Sequence, residues 1–159
     1  MRIASSWALL LAHALLHPEA AASDFDFTRR KDAAEWEPSH DVAFLPATTL
    51  GLGVSIQGAD PFFTSPPLGL PATGDVMVEA RVRSEVGGFA QLFWFKQGAS
   101  EANSIHFRCR TNDWTDVCLP IPATGDGTRI RLDPPGTHGR FDVAWVRLSP
   151  VGSRGIHRA

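Results

Sequence analysis

Between residues 103 and 148 this chain alternates apolar and polar side chains in short runs, and turn-forming residues break the alternation about every 8–12 positions. The runs are NSIHFRCR (103–110), WTDVCLPI (114–121), TRIRLDPPG (128–136) and RFDVAWVRL (140–148). In a strand successive side chains point to opposite faces, so a period of two marks one face turned to a core and one to water. Repeated at this interval, the pattern predicts an all-β chain folded as an antiparallel β-sandwich. Chemistry on such a scaffold sits in the loops and on the open sheet faces.

The same signal continues upstream. Asp24-Phe25-Asp26-Phe27 alternates as a first strand should, and a charged segment then leads to Trp36 and a turn at 37–40. Strands are expected at 41–45 and at 49–57, the second weakened by Gly51 and Gly53, which points to a bulge or a close backbone approach. The clearest alternation lies in 76–84, with Val76, Val78, Ala80 and Val82 on one face and Met77, Glu79, Arg81 and Arg83 on the other. FAQLFWF (89–95) is apolar on both faces. It reads as a central strand covered on both sides, or one whose outer face meets a loop or a ligand. No segment outside the leader carries a helical period.

Residues 1–22 read as a secretory signal peptide: Met1-Arg2, an apolar stretch, then Ala20-Ala21-Ala22-Ser23 at the expected cut. The apolar run is shorter than the ~20 residues needed to span a bilayer, so no membrane insertion is expected after cleavage and the product is expected to be secreted. Residues 23–149 then form one sandwich domain, and 150–159 a flexible tail. A formal net charge of −2 argues against a nucleic-acid partner, which calls for a basic surface. Cys109 and Cys118 are the two cysteines, and an even number in an exported chain points to a disulfide across an expected hairpin turn at 111–113. Such a bridge closes a short loop and would contribute on the order of 2.5–3 kcal/mol. Two reduced thiols are the alternative.

Several phrases, taken in order, carry a family likeness: Phe25-Asp26-Phe27 followed by Trp36; Gln57-Gly58-Ala59-Asp60-Pro61-Phe62; Ser65-Pro66-Pro67-Leu68; Val78-Glu79-Ala80-Arg81-Val82-Arg83; Gln91-Leu92-Phe93-Trp94; Asn112-Asp113-Trp114; and Ile130-Arg131-Leu132-Asp133-Pro134 ahead of residues 143–148. The chain resembles exported galactose-binding-like jelly-roll domains, the architecture shared by many carbohydrate-binding modules. That resemblance implies a jelly-roll sandwich, a polysaccharide or glycan as partner, and no catalysis. Such domains often hold a structural calcium and often carry an Asp in the last strand, where Ala144 stands here, two residues after Asp142. Ca²⁺ takes six to eight oxygens, which one carboxylate does not supply, so no cofactor and no metal site is assigned and calcium remains an alternative.

Sugars stack their C–H faces on aromatic rings while polar groups read their hydroxyls. Trp36 and Trp114 flank turns among polar neighbours, whereas Trp94 and Trp145 lie inside strands and read as packing residues. The candidate ligand-binding set is therefore Trp36 and Trp114 as platforms, with Asn112, Asp113, Arg108 and Arg110 as hydrogen-bonding partners. Arg81, Arg83, Arg108, Arg110, Arg129, Arg131 and Arg147 fall at alternating strand positions. They make either a cationic face for an acidic polysaccharide or an ordinary face paired with Glu79, Asp116 and Asp142. Asp60 and Asp133, each before a proline, read as turn residues that accept backbone N–H bonds, and His40, His106 and His138 as surface residues. None of the nucleophile-elbow, zincin, phosphate-loop or dinucleotide signatures is present. A glycoside hydrolase would need two carboxylates held across a cleft, and no phrase singles out a pair, Glu101 with Asp116 being one the sequence leaves open. The alternative function is a structural or protein-interaction sandwich that uses residues 89–95 or the arginine-bearing face. The sequence is silent on oligomeric state.

Overall fold

The computed structural model describes residues 23–46 and 48–151. The expected signal peptide and all but the first two residues of the expected tail lie outside the described residues. Eleven strands follow in order: β1 (Ser23–Asp26), β2 (Glu37–His40), β3 (Val42–Phe44), β4 (Leu52–Ile56), β5 (Phe62–Thr64), β6 (Asp75–Ser84), β7 (Gly88–Phe95), β8 (Ser104–Cys109), β9 (Trp114–Pro122), β10 (Arg129–Asp133) and β11 (Gly139–Pro150). A short helix, α1 (Arg30–Ala34), occupies the charged segment after β1, where no helical period was expected.

The strands form two antiparallel sheets. One has the order β3-β4-β11-β6-β9 with β1 also paired to β11, and the other has the order β2-β5-β10-β7-β8. This is the expected all-β sandwich. The alternation in β6 holds residue for residue: Val76, Val78, Ala80 and Val82 are buried, and Met77, Glu79, Arg81 and Arg83 stand on the outer face. Val117, Leu119 and Ile121 of β9, with Phe141, Val143, Val146 and Leu148 of β11, complete that sheet's inner face. They pack against Phe63, Leu92, Trp94, Phe107, Ile130 and Leu132 of the second sheet. In β11 the pairing to β6 skips at Ala144 between Val143 and Trp145, and this bulge returns Val146 and Leu148 to the core side. Gly51 (φ +119°) lies against that bulge, where a Cβ would collide with the Val143 carbonyl. The close backbone approach read from Gly51 is therefore real.

Consecutive runs do not pair in the order the hairpin expectation required. β8 pairs with β7, and β9 pairs with β6 in the opposite sheet, so the turn at 110–113 crosses between layers. Cys109 faces the core from β8, Cys118 lies on the outer face of β9 with its Sγ 3.3 Å from Met77 Sδ, and both thiols are free. The Cys109–Cys118 disulfide expected from the sequence is thus corrected, because residues on opposite faces of opposite sheets cannot bring their Cβ atoms together. Burial pushes the Cys109 thiol up to about 12, so it stays protonated and unreactive. Native protein treated with iodoacetamide near pH 8 is expected to be alkylated at Cys118 alone, with Cys109 modified only after unfolding. Peptide mass mapping reads both positions, and native labelling of Cys109 would contradict this arrangement.

Candidate functional site

Of the candidate platforms, Trp36 is withdrawn by the structure. It follows α1 and is only 3 % exposed. Its ring meets Phe25 edge-on at 5.5 Å, Phe27 at 5.4 Å and Phe63 at 5.8 Å between centroids. A sugar cannot stack on it. Turn neighbours made it look loop-borne, but α1 folds the indole back into the gap beneath β1.

Of the other candidates, Arg110, Asn112, Asp113 and Trp114 gather around the β8–β9 crossing at one end of the sandwich. Asn112 adopts a left-handed conformation (φ 56°), and its N–H donates to the Ser84 carbonyl at 2.7 Å, which ties the crossing to the end of β6. Arg110 Nη1 donates to Asp113 Oδ2 at 3.2 Å, so these two neutralise one another. Trp114 stands on the outer face opposite Arg83, with the guanidinium carbons of Arg83 and Arg81 at 5.0 Å and 5.6 Å from its ring centroid. Arg108 is exposed on the outer face of β8, in the other sheet, and does not join the Trp114 cluster.

Beside Trp114 lies an open groove of about 300 Å³ lined by Arg83, Glu85, Asn112, Arg140 and Asp142. Asp142, 4 % exposed, holds it together. Its Oδ2 accepts Arg83 Nε and Nη2 at 3.1 Å and 2.8 Å, and its Oδ1 accepts Arg140 Nε at 2.7 Å. Its oxygens are thus engaged by protein cations. The described residues bring no group of three or more His, Cys, Asp or Glu together as a metal cluster.

A larger groove, about 420 Å³, opens on the outer face of the second sheet, with Asp60, Phe89, Gln91, His106, Asp133 and Pro135 in its lining. Phe89 is 68 % exposed, a large apolar ring left standing in water. Gln91 is fixed by donating to Glu101 Oε2 at 2.7 Å and Ser104 Oγ at 2.8 Å. Under one side of the groove Arg131 is pressed between Phe62 and Phe93, 3.6 Å and 4.8 Å from their centroids, and it donates two 2.6 Å bonds to Asp133. Asp60 Oδ1 accepts from the same guanidinium at 3.4 Å. The two aspartates therefore bind a side chain, where turn-fixing roles were expected. Burial pushes the Asp133 carboxyl above the usual aspartate range, although Arg131 opposes the shift and the negative Asp60 and Glu101 add to it.

The sequence pattern missed Phe89, Gln91 and His106 as site residues. The only signal was the two-faced apolar character of 89–95, and the structure divides it: Ala90, Leu92 and Trp94 face the core, Arg131 covers Phe93, and Phe89 stays bare. The arginines are distributed over both sheets and most are paired, Arg81 with Asp116, Arg83 and Arg140 with Asp142, Arg131 with Asp133 and Arg147 with Asp24, while Arg108 stands exposed opposite Phe89 across β7 and β8. No single cationic face results. Trp145, expected as a packing residue, is half-buried on the outer face, with Arg147 4.6 Å from its ring.

No family model and no curated protein matches this sequence. Solved structures do match its shape. The chain is similar to the C-terminal CBM6 of LamC, a marine laminarinase from Zobellia galactanivorans, at a TM-score of 0.57 and 18 % identity, covering 81 % of this chain and 99 % of that one. It is similar also to the carbohydrate-binding module CBM6cm-2 from Cellvibrio mixtus lichenase 5A, solved with cellotriose (TM-score 0.54, 17 % identity, 81 % and 97 % covered). A third is CBM35 from Paenibacillus barcinonensis (TM-score 0.54, 13 % identity, 81 % and 98 % covered). The fold is that of the jelly-roll carbohydrate-binding modules.

Proposed function

We propose that this chain is a non-catalytic, exported carbohydrate-binding module. The observation that carries the reading is Phe89, an exposed ring on the wall of an open groove. The Gln91 carbonyl oxygen, the His106 imidazole and the carboxylates of Asp60 and Asp133 lie around it to meet hydroxyls. An aromatic face with converging polar groups in a wet concavity suits a pyranose, whose C–H face is apolar and whose rim is polar. Trp114, half-buried with Arg83 and Arg81 over its ring, stands beside the smaller groove that Asn112 lines and is the second candidate surface. The comparison structures that share the fold are carbohydrate-binding modules, which supports the same reading. No helix of the described residues is long and apolar enough to cross a membrane.

The test is binding of the folded protein to a glycan array and to insoluble polysaccharides. Saturable binding, competed by a soluble sugar, is expected. Phe89→Ala and Trp114→Ala are each expected to weaken it about 10- to 100-fold without moving the melting temperature, since both rings stand outside the core. A folded protein that retains no neutral or acidic glycan, and whose solution mass rises with concentration, would replace this reading with that of a protein-interaction sandwich.

A further inference from the structure

Among the described residues two carboxylates are buried: Asp142 beneath the Trp114-side groove, and Asp32 in α1, which lines neither groove. Asp32 is 6 % exposed, and its Oδ2 accepts the Asp26 N–H at 3.0 Å. Lys31 Nζ stands 3.8 Å from its Oδ1. Asp26 is engaged on both of its own oxygens. Oδ1 accepts the Thr28 N–H at 3.1 Å and the Thr28 hydroxyl at 2.7 Å, and Arg29 Nε lies 3.4 Å from Oδ2. The two Thr28 bonds, with Arg29 adding to them, hold the Asp26 carboxyl below the usual aspartate range, so it is ionised at neutral pH.

These residues close the first strand onto the last. Asp26 pairs with Trp145, and the Phe27 N–H donates to the Ala144 carbonyl at 3.0 Å, at the bulge in β11. The turn uses its other carbonyls internally: that of Asp26 accepts the Arg29 N–H at 2.9 Å, and that of Arg29 accepts the Asp32 N–H at 3.2 Å. By tying α1 to the end of β1, Asp32 also seats Trp36, whose backbone N–H donates to the Ala33 carbonyl at 3.4 Å.

Ala144 is the last-strand position at which jelly-roll domains of this kind often carry an Asp, and a structural calcium would draw its ligands from this junction. Ca²⁺ takes six to eight oxygens at about 2.3–2.6 Å. The donors here do not fit it. Ala144 brings no side-chain oxygen, and the carboxylates and carbonyls of the turn already accept N–H and O–H donors. Arg29 and Lys31 stand 3.4 Å and 3.8 Å from the two carboxylates, so a dication would enter against two fixed positive charges.

We infer that this chain closes the junction of β1 and β11 with its own basic residues in place of a metal. Asp32 is the tie, Arg29 and Lys31 supply the positive charge, and the sandwich folds and keeps its stability without calcium. Arg29 and Lys31 are 65 % and 76 % exposed, so their ion pairs contribute little to stability and the buried Asp32 carries the effect. Whatever the grooves bind, this junction lies outside both linings.

Thermal melts of the full chain in excess EDTA and in millimolar CaCl₂ test this directly. The two melting temperatures are expected to agree to within about 1 °C, whereas a site filled at a hundredfold above its dissociation constant would separate them by about 10 °C. Refolding from urea is expected to be complete in EDTA. Asp32→Ala is expected to melt about 5–10 °C below the wild type, by the same amount with and without calcium, because the Asp26 N–H loses its acceptor. Asp32→Asn, which keeps an oxygen for that N–H, is expected to lose less. A melting temperature that rises by several degrees in CaCl₂, or refolding that requires it, overturns the metal-free junction. Loss of that rise in Asp26→Asn would then place the ion here, and its persistence would place it elsewhere in the sandwich. An Asp32→Ala variant that melts like the wild type overturns the tie, even where calcium has no effect.

Discussion

Trp36→Ala is expected to lower the melting temperature by about 10–20 °C. The ring is 3 % exposed and meets Phe25, Phe27 and Phe63 within 5.8 Å between centroids. Truncating a buried Trp typically costs about 3–5 kcal/mol, from lost transfer energy and from the cavity left behind. The edge-on contacts add to this because the positive rim of one ring meets the negative face of the next. Domains of this size have only about 5–15 kcal/mol in total, so the variant approaches the threshold of folding. Circular dichroism melts of wild type and variant read the effect. A variant that melts like the wild type but loses glycan binding would return Trp36 to the ligand surface and remove it from the core.

The second large effect is expected at Asp142. Removing its carboxylate in Asp142→Ala leaves Arg83 and Arg140, 29 % and 37 % exposed, turned toward each other with no counter-charge between them. Deleting one member of a fully buried pair costs about 3–5 kcal/mol, and here water reaches the guanidinium groups, so about 2–3 kcal/mol is expected. The loss should show as a lower urea midpoint with an unchanged slope. Replacing all three with apolar residues (Arg83→Leu, Asp142→Leu, Arg140→Leu) should recover most of it, because the desolvation of three charges disappears together with their attraction. A single-variant loss below about 0.5 kcal/mol, the size of an ordinary surface change, would show that Asp142 is not the clamp. Asp142→Ala also frees Arg83 from its seat beside Trp114, so glycan affinity should fall with stability.

Much of the fold was legible because side-chain direction along a strand is a local property. The alternation in β6 and the alternating runs that became β9 and β10 follow from the backbone period alone, and the turn residues follow from the few conformations available between strands. The candidate site was legible only in part. Trp114, Asn112 and Asp113 were picked out as candidates because they flank a turn, and they lie at the sandwich end. Phe89 was hidden inside an apolar run, because exposure depends on what lies above a residue: Arg131 covers Phe93 and nothing comparable covers Phe89. Trp36 failed in the opposite sense, with polar sequence neighbours and an aromatic spatial environment.

By itself the sequence determined that this chain is a β-sandwich, which residues share a face of each strand, and that aromatic and polar residues cluster at turns. Only the tertiary structure decided which sheet each strand joins. That choice parted Cys109 from Cys118, distributed the arginines over two faces and gave each groove-lining arginine a carboxylate. The reason is that strand period is encoded over two residues, whereas pairing in a jelly roll joins residues as far apart as Asp24 and Arg147 and is settled by which apolar faces bury one another.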